Sequence, residues 1–325
     1  MKVLVLSEHD VEALLTMREC IRVMKDALMA LGRGEVHNPL RQAIRAPGAA
    51  GLLGLMPAWR SGERSYYGLK EVCVFPDNPK RGLDTHLGVV ILHSGETGEP
   101  LAFVNAAAVT GIRTAAVSAV ATDLLARMQA PVLAILGAGA QGKYHLESIP
   151  LVREVAEVRI FSRTREKAEA LAGTATLPVR VAEDVESAVR RADIIVTATS
   201  SREPILRKNW VAPGAHINAV GSSIAAAREL DSDLVAAASL FVDRRESTVN
   251  EAGDYLFAVR EGAIAGPEHI RAELGEVALG TAPGRTAESE ITLFKSLGLA
   301  IEDLAAAAFL YEKAQAEGRG VWIDF

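Results

Sequence analysis

The residues with the clearest chemical meaning are Gly137-Ala-Gly139-Ala140-Gln141-Gly142, which directly follow the apolar run 132–136 and open a segment able to be helical. In a strand-turn-helix unit the first glycine permits the tight turn and the second lets the backbone approach a pyrophosphate. The third lets helix and strand pack closely, and the amides of the helix start hold the phosphate charge. A glycine-rich turn with no ligand is the bland alternative; the strand before it and the alternating strands after it favour a dinucleotide. One strand later, Phe161 is followed by Ser162, Arg163, Thr164 and Arg165, with Lys167 close behind. An NAD-selective site usually offers a carboxylate there, about 20 residues past the glycines. Hydroxyl and cationic donors suit a 2′-phosphate instead, so NADP(H) is expected, with NAD(H) as the alternative. Simple solvation of Arg163 and Arg165 at a helix start is the competing reading.

A second set is cationic. Lys70 lies in the strand-like Tyr67-Gly-Leu-Lys-Glu-Val, Arg113 in the small-residue run Thr110-Gly-Ile-Arg-Thr-Ala-Ala, and Arg41 in Asn38-Pro-Leu-Arg. A cation inside an apolar run is costly to bury unless an anion meets it. That anion is either a carboxylate of the chain or one on a substrate, and the residues alone leave the two open. Hydrolase and metal signatures are missing: there is no GxSxG, HExxH or CxxC, and the seven histidines are scattered. No metal is expected.

These residues need elements to hold them. At 325 residues, 49% hydrophobic and 23% charged, the chain is sized for two domains with sizeable cores. Two cysteines build no disulfide framework, which makes a reducing cytoplasm the simplest setting. A net charge of −6 offers no global attraction to nucleic acid or anionic membrane. No stretch is expected to reach the roughly 18 to 20 apolar residues that span a bilayer. Ser7 three residues before Asp10, and Thr16 three before Glu19, mark two helix starts. Short apolar runs at 51–56, 66–75, 88–92 and 101–104, with a turn at 95–98, read as hairpin-connected strands of an antiparallel or mixed sheet. A helix follows over 109–126. From residue 130 the rhythm is strand-helix, with strands at 132–136, 158–161, 179–182, 194–198, 216–220 and 240–242. This is the pattern of a parallel sheet covered on both faces. Helix 301–315 and the run 321–325 pack back onto the first part.

The chain also resembles the ornithine cyclodeaminase/mu-crystallin family. The resemblance runs through Met56-Pro-Ala, Gly68-Leu-Lys70, Phe75-Pro-Asp-Asn78, Thr97-Gly-Glu-Pro, Thr110-Gly-Ile-Arg113-Thr-Ala-Ala and Gly137-Ala-Gly-Ala-Gln141. It continues through Ala219-Val-Gly221-Ser, Arg228-Glu-Leu-Asp231, Glu251-Ala-Gly253 and Glu290-Ile-Thr-Leu-Phe-Lys-Ser-Leu-Gly298. It implies an α/β chain with a Rossmann-type doubly wound parallel sheet domain (119–301). Beside it stands an α+β substrate and dimerisation domain built from 1–118 and 302–325, through which homodimers form. It further implies that Arg41, Lys70 and Arg113 bind a substrate carboxylate, that Lys70 donates or relays a proton, and that Asp231 faces the substrate amine or imine. Thr85, Arg113, Thr114, Gly137, Gly139, Ala140, Gln141, Gly142, Ser162, Arg163, Thr164, Lys167, Thr197, Thr199, Val220 and Gly221 would approach the cofactor. Without the resemblance, Asp231 reads as a helix cap and Lys70 as a sheet-edge lysine.

Three activities are compatible with it: NAD(P)H-dependent reduction of an imino acid, or amino-acid dehydrogenation in reverse; a cyclodeaminase lyase using bound NAD⁺; and a non-catalytic binding protein. The partner is in each case small, an imino, amino or oxo acid for the two enzymes. Two departures favour reduction. Leu55 stands just before Met56-Pro, where a cyclodeaminase is expected to carry an acid for the distal amine, and the cofactor-selecting segment is basic rather than acidic. Glu71, Trp59 and His86 lie near matched segments and either shape the pocket or, for Glu71, alternate outward.

Overall fold

The computed structural model describes the backbone of all 325 residues and every side chain but that of Pro79. The chain divides into two compact units, Met1–Arg113 with Leu299–Phe325, and Thr114–Gly298. The boundaries expected at 118 and 302 stand at 113 and 299, and either division keeps Arg113 in one unit with Glu302 and Asp303.

The first unit opens with β1 (Lys2–Leu6), α1 (Glu8–Leu14) and α2 (Met17–Gly32). Both helix starts are reciprocal capping boxes, Ser7 with Asp10 and Thr16 with Glu19. There follow β2 (Val36–His37), β3 (Gln42–Ile44), β4 (Leu52–Arg60), β5 (Tyr66–Val74), β6 (His86–Ser94) and β7 (Pro100–Asn105). The turn between β6 and β7 closes where Gly98, at φ 76°, donates to the Ser94 carbonyl at 3.0 Å. Next comes α3 (Ala106–Leu125), whose first two turns belong to this unit and the rest to the second. Contrary to the sequence reading, α3 is long and apolar enough to cross a membrane by length and composition. Of its most apolar 18 residues, however, 83% are buried inside the protein. A helix apolar on all sides and so enclosed is a core helix.

The second unit runs β8 (Val132–Leu136), α4 (Ala140–Ser148), β9 (Glu157–Phe161), α5 (Arg165–Ala172), β10 (Val179–Val181), α6 (Val185–Val189), β11 (Ile194–Thr197) and β12 (His216–Ala219). It continues with α7 (Ser232–Ala237), β13 (Ser239–Val242), α8 (Arg245–Glu251), α9 (Gly253–Arg260), β14 (Ile270–Glu273), α10 (Leu274–Leu279) and β15 (Thr292–Lys295). The eight strands are parallel in the order β10-β9-β8-β11-β12-β15-β13-β14. Alternate residues of β8 feed two cores: Leu133 and Ile135 join Val158, Ile160 and Leu171 on one face, while Ala134 and Leu136 join Ile195, Ile217 and Leu234 on the other. The order reverses direction at β8, the switch point of a doubly wound sheet. β14 and β15 escaped the sequence reading because Ile-Arg-Ala-Glu alternates apolar with charged residues and Thr-Leu-Phe-Lys holds only two apolar residues in a row.

The chain then returns to the first unit through α11 (Ala300–Glu317) and β16 (Val321–Asp324), completing a mixed sheet in the order β16-β1-β7-β6-β5-β4-β2, with β3 also on β4. Only β1 and β7 are parallel neighbours in it. Register aligns Met56, Lys70, Val90 and Val104 in one row. Directly opposed residues share a face, and this row is buried throughout.

Candidate functional site

The phosphate turn of the second unit has the geometry its glycines require. Gly137 sits at φ 118°, and a Cβ there would overlap the Ala198 carbonyl oxygen; a Cβ on Gly142 would overlap the Gly137 carbonyl oxygen. Gly139, the N-cap residue of α4, faces open space instead. Crowding at the first and third positions with room at the second is what a pyrophosphate approaching the backbone demands. Ala140 and Gln141 open α4, and α4 is fixed by His145. Its Nδ1 donates to the Gln141 carbonyl at 2.7 Å, since a carbonyl can only accept, so its Nε2 accepts from Ser118 Oγ at 2.8 Å. Burial holds the imidazole down at about 4, so it is neutral. Thr114 Oγ1 is buried without a hydrogen-bond partner, a polar atom still available to a ligand. The residues present therefore fit a dinucleotide.

At the end of β9, Ser162 Oγ accepts from the Thr164 amide at 3.3 Å, and Arg163, Thr164 and Lys167 are exposed. Arg165 pairs with Glu169 along α5, as its bland reading allowed. Among the described residues Arg163 has no ion-pair partner. Thr197 ends β11 and Thr199 follows it, and Val220 and Gly221 follow β12, all at carboxyl ends of parallel strands, where open α/β sheets bind ligands.

In the first unit the structure brings Lys70 and Arg113 into one buried cluster. Lys70 Nζ stands 2.7 Å from Asp303 Oδ2 and 3.5 Å from Thr110 Oγ1; Arg113 donates to Glu302 Oε2 at 2.6 Å and to Asp303 Oδ1 at 3.2 Å. Both cations are 4% exposed. Two carboxylates of α11 thus meet two cations, and the anion the sequence left open is supplied by the chain. Burial is the main force holding the Lys70 ammonium down at about 8; Asp303 works against it and Arg113 adds to it. Glu302 and Asp303 went unremarked in the sequence, yet the argument applied to Arg113 would have found them: two acids in the apolar run of Leu299 to Leu310 must be paired.

Other anticipated residues stand elsewhere. Arg41 directly precedes β3, and alternation puts it on the face of Met56 and Lys70, half-buried. Its neighbour Asn38 caps α11, its Oδ1 accepting the Ile301 amide at 2.8 Å. The Thr85 carbonyl accepts from Phe75 N at 2.9 Å beside the start of β6. Asp231, in the second unit, is the N-cap of α7, taking the Leu234 amide at 2.9 Å and the Lys208 amide at 3.2 Å. That is the cap its bland reading described. Leu55 alternates with Met56 onto the face of Glu71, away from Lys70; the neighbouring position on the Lys70 face is Gly54. Neither carries an acid.

A model of the ornithine cyclodeaminase/mu-crystallin family matches residues 1–318. Ketimine reductase mu-crystallin of Mus musculus is 42% identical over 279 residues, 86% of each chain. The solved structure of Thermococcus litoralis delta(1)-pyrroline-2-carboxylate reductase, in complex with NADH and L-proline, is similar with a TM-score of 0.94 at 36% identity, covering 98% of this chain and 99% of that one. An archaeal alanine dehydrogenase dimer with bound NAD is similar with the same score at 34% identity, over the full length of both. The mixed sheet with its buried lysine, the doubly wound sheet with its glycine turn and these matches agree that the chain belongs to the ornithine cyclodeaminase/mu-crystallin family.

Proposed function

We propose that this protein reduces an imine bearing a carboxylate to the corresponding amino acid, using NADPH in preference to NADH, and dehydrogenates the amino acid in reverse. The observation that carries the reading is Lys70: a lysine almost wholly buried, ion-paired to Asp303 and with its ammonium held at about 8, is a proton donor near neutrality. The dinucleotide, when bound, would supply a hydride to the carbon of the protonated imine, the C=N electron pair becoming the amine lone pair. Lys70 gives that proton, and Asp303 and Arg113 hold its Nζ in place. Arg41, on the sheet face of Lys70, joins Lys70 and Arg113 as the cations that take the substrate carboxylate. Asp231 keeps α7 in place at the carboxyl edge of the second unit and, through its charge, favours an iminium. Gly139, Gln141, Thr114 and the amides of α4 hold the pyrophosphate, while Ser162, Arg163, Thr164 and Lys167 select the 2′-phosphate. The names of the mouse and Thermococcus relatives support reduction, and so does the missing acid at positions 54 and 55.

The test is nicotinamide absorbance with purified protein, NADPH and either a cyclic ketimine carboxylate or pyruvate with ammonia or methylamine. Loss of absorbance with stoichiometric amino acid is expected. Proline and ammonia released from ornithine with no net cofactor change would establish the lyase instead.

A further inference from the structure

We propose that Glu229, Asp254 and Lys295 form a positioning network that fixes the nicotinamide-side rim of the dinucleotide site. The proposal rests on the dinucleotide reading and stays within the second unit. Lys295 ends β15; its Nζ donates to the Gly221 carbonyl at 2.9 Å and pairs with Asp254 Oδ2 at 2.9 Å. Asp254, in the first turn of α9, accepts the amides of Glu229 and Leu230 at 2.8 and 2.9 Å through Oδ1. Glu229 in turn accepts the Thr199 amide and hydroxyl, each at 2.7 Å, on one oxygen and the Thr197 hydroxyl at 2.7 Å on the other. One ammonium and two carboxylates, none more than 2% exposed, thereby join the ends of β11, β12 and β15. Gly221 is pressed so tightly into this joint that a Cβ would overlap the Thr199 carbonyl and crowd Glu229 Oε1.

The side of the sheet identifies what the joint serves. The first half of a doubly wound sheet, β8 to β10 here, carries the adenosine selector after its second strand, so the mirror half beginning with β11 and β12 receives the nicotinamide. Buried charges raise the cost of folding, and in some proteins what they provide in return is one enforced geometry. Here the enforced geometry is the height of Thr199 and Gly221. Burial, and to a lesser degree Asp254, push the Glu229 carboxyl up, against the Lys295 ammonium and the hydrogen bonds it accepts from Thr197 and Thr199.

Binding and isotope effects test the network, using Glu229→Gln, Glu229→Ala and Lys295→Met in the full chain. NADPH affinity, read by nicotinamide fluorescence, should fall about tenfold in Glu229→Ala and Lys295→Met, the scale of one lost charge-assisted hydrogen bond. Affinity for adenosine 2′,5′-bisphosphate, which lacks the nicotinamide half, should not change. Glu229→Gln, which keeps an acceptor for the Thr199 amide, should recover most of the loss. The primary isotope effect with NADPH deuterated at the transferred position should rise, and as a ratio it is insensitive to any unfolded fraction. Equal weakening of both ligands, or unchanged NADPH affinity and isotope effect, would overturn the network. If the wild type binds NADPH but reduces no imine, the functional reading fails while the binding comparison still decides this one.

Discussion

Lys70 concentrates the pH dependence of the proposed reaction. Its ammonium is held at about 8, against the ordinary 10.5, chiefly by burial. Reduction consumes the protonated form, so kcat/KM for imine reduction should be flat below this value and fall as pH rises through it. The reverse dehydrogenation needs neutral Lys70 and should rise through the same pH. Lys70→Met should lose about 10²- to 10⁴-fold in turnover, the usual worth of a general acid; it leaves Asp303 to Arg113 alone and so also lowers the melting temperature, and turnover is compared below that temperature. A pH profile with no break between 7 and 9, or near-normal turnover in the variant, would exclude the assignment. Arg163 carries a separate expectation. Exposed and without an ion-pair partner among the described residues, it is free to meet a 2′-phosphate. Arg163→Asp should weaken NADPH about tenfold or more and leave NADH nearly unchanged; equal effects on both would remove it as the selector.

At the scale of elements, the turn into α4 separates two roles that one motif combines. Gly139→Ala meets open space and should fold normally, yet its methyl stands where the pyrophosphate approaches, so nucleotide affinity should drop with melting temperature retained. Gly142→Ala drives a methyl into the Gly137 carbonyl and should cost about 1–3 kcal/mol of stability. Calorimetry with and without NADPH distinguishes the two; the opposite pattern would refute the cradle geometry. This turn was legible in the sequence because a strand, three glycines and a helix are local. So were the capping boxes at Ser7 and Thr16. What escaped was set by long-range pairing. β15 is four residues that lie between β12 and β13, and its place in the sheet depends on contacts more than 70 residues distant, His216 with Thr292 among them. Asp303 reaches Lys70 only because α11 returns to the first sheet, where Gly68 leaves space against Leu304. Cations in apolar runs announced that partners existed, but not which ones. Asp231 shows the converse: motif resemblance drew attention to it, and the local capping rule described its contacts.

For the whole molecule, the net charge of −6 averages over every residue, while the proposed chemistry rests on cations that are buried, as Lys70 and Arg113 are, or follow a strand end, as Arg163 does. The same division governs association. The sheet face opposite Lys70 leaves Ile44, Tyr67 and Leu87 exposed beside half-buried Leu53, Leu55, Leu69, Val89 and Ile91, an apolar surface of the kind that marks a protein interface. We expect a homodimer through this face, twice the 34.5 kDa chain by light scattering, and monomer on Leu69→Glu; a dimer that persists in the variant would place the interface elsewhere. Stability should respond to acid through histidines far from any reaction. His145 and His216 are fully buried, and burial holds them at about 4 and about 3, against 6.5 when unfolded. Between those values the unfolded chain binds more protons than the folded one, so stability is fully present above about pH 6.5 and is lost as pH falls towards 4. The ceiling is on the order of 3 kcal/mol for His145 and about 5 kcal/mol for His216. The melting temperature should therefore decline steeply from pH 6.5 to 4. His145→Gln, which can still donate to the Gln141 carbonyl, should flatten that decline; an equally steep one would show that other groups set the acid limit.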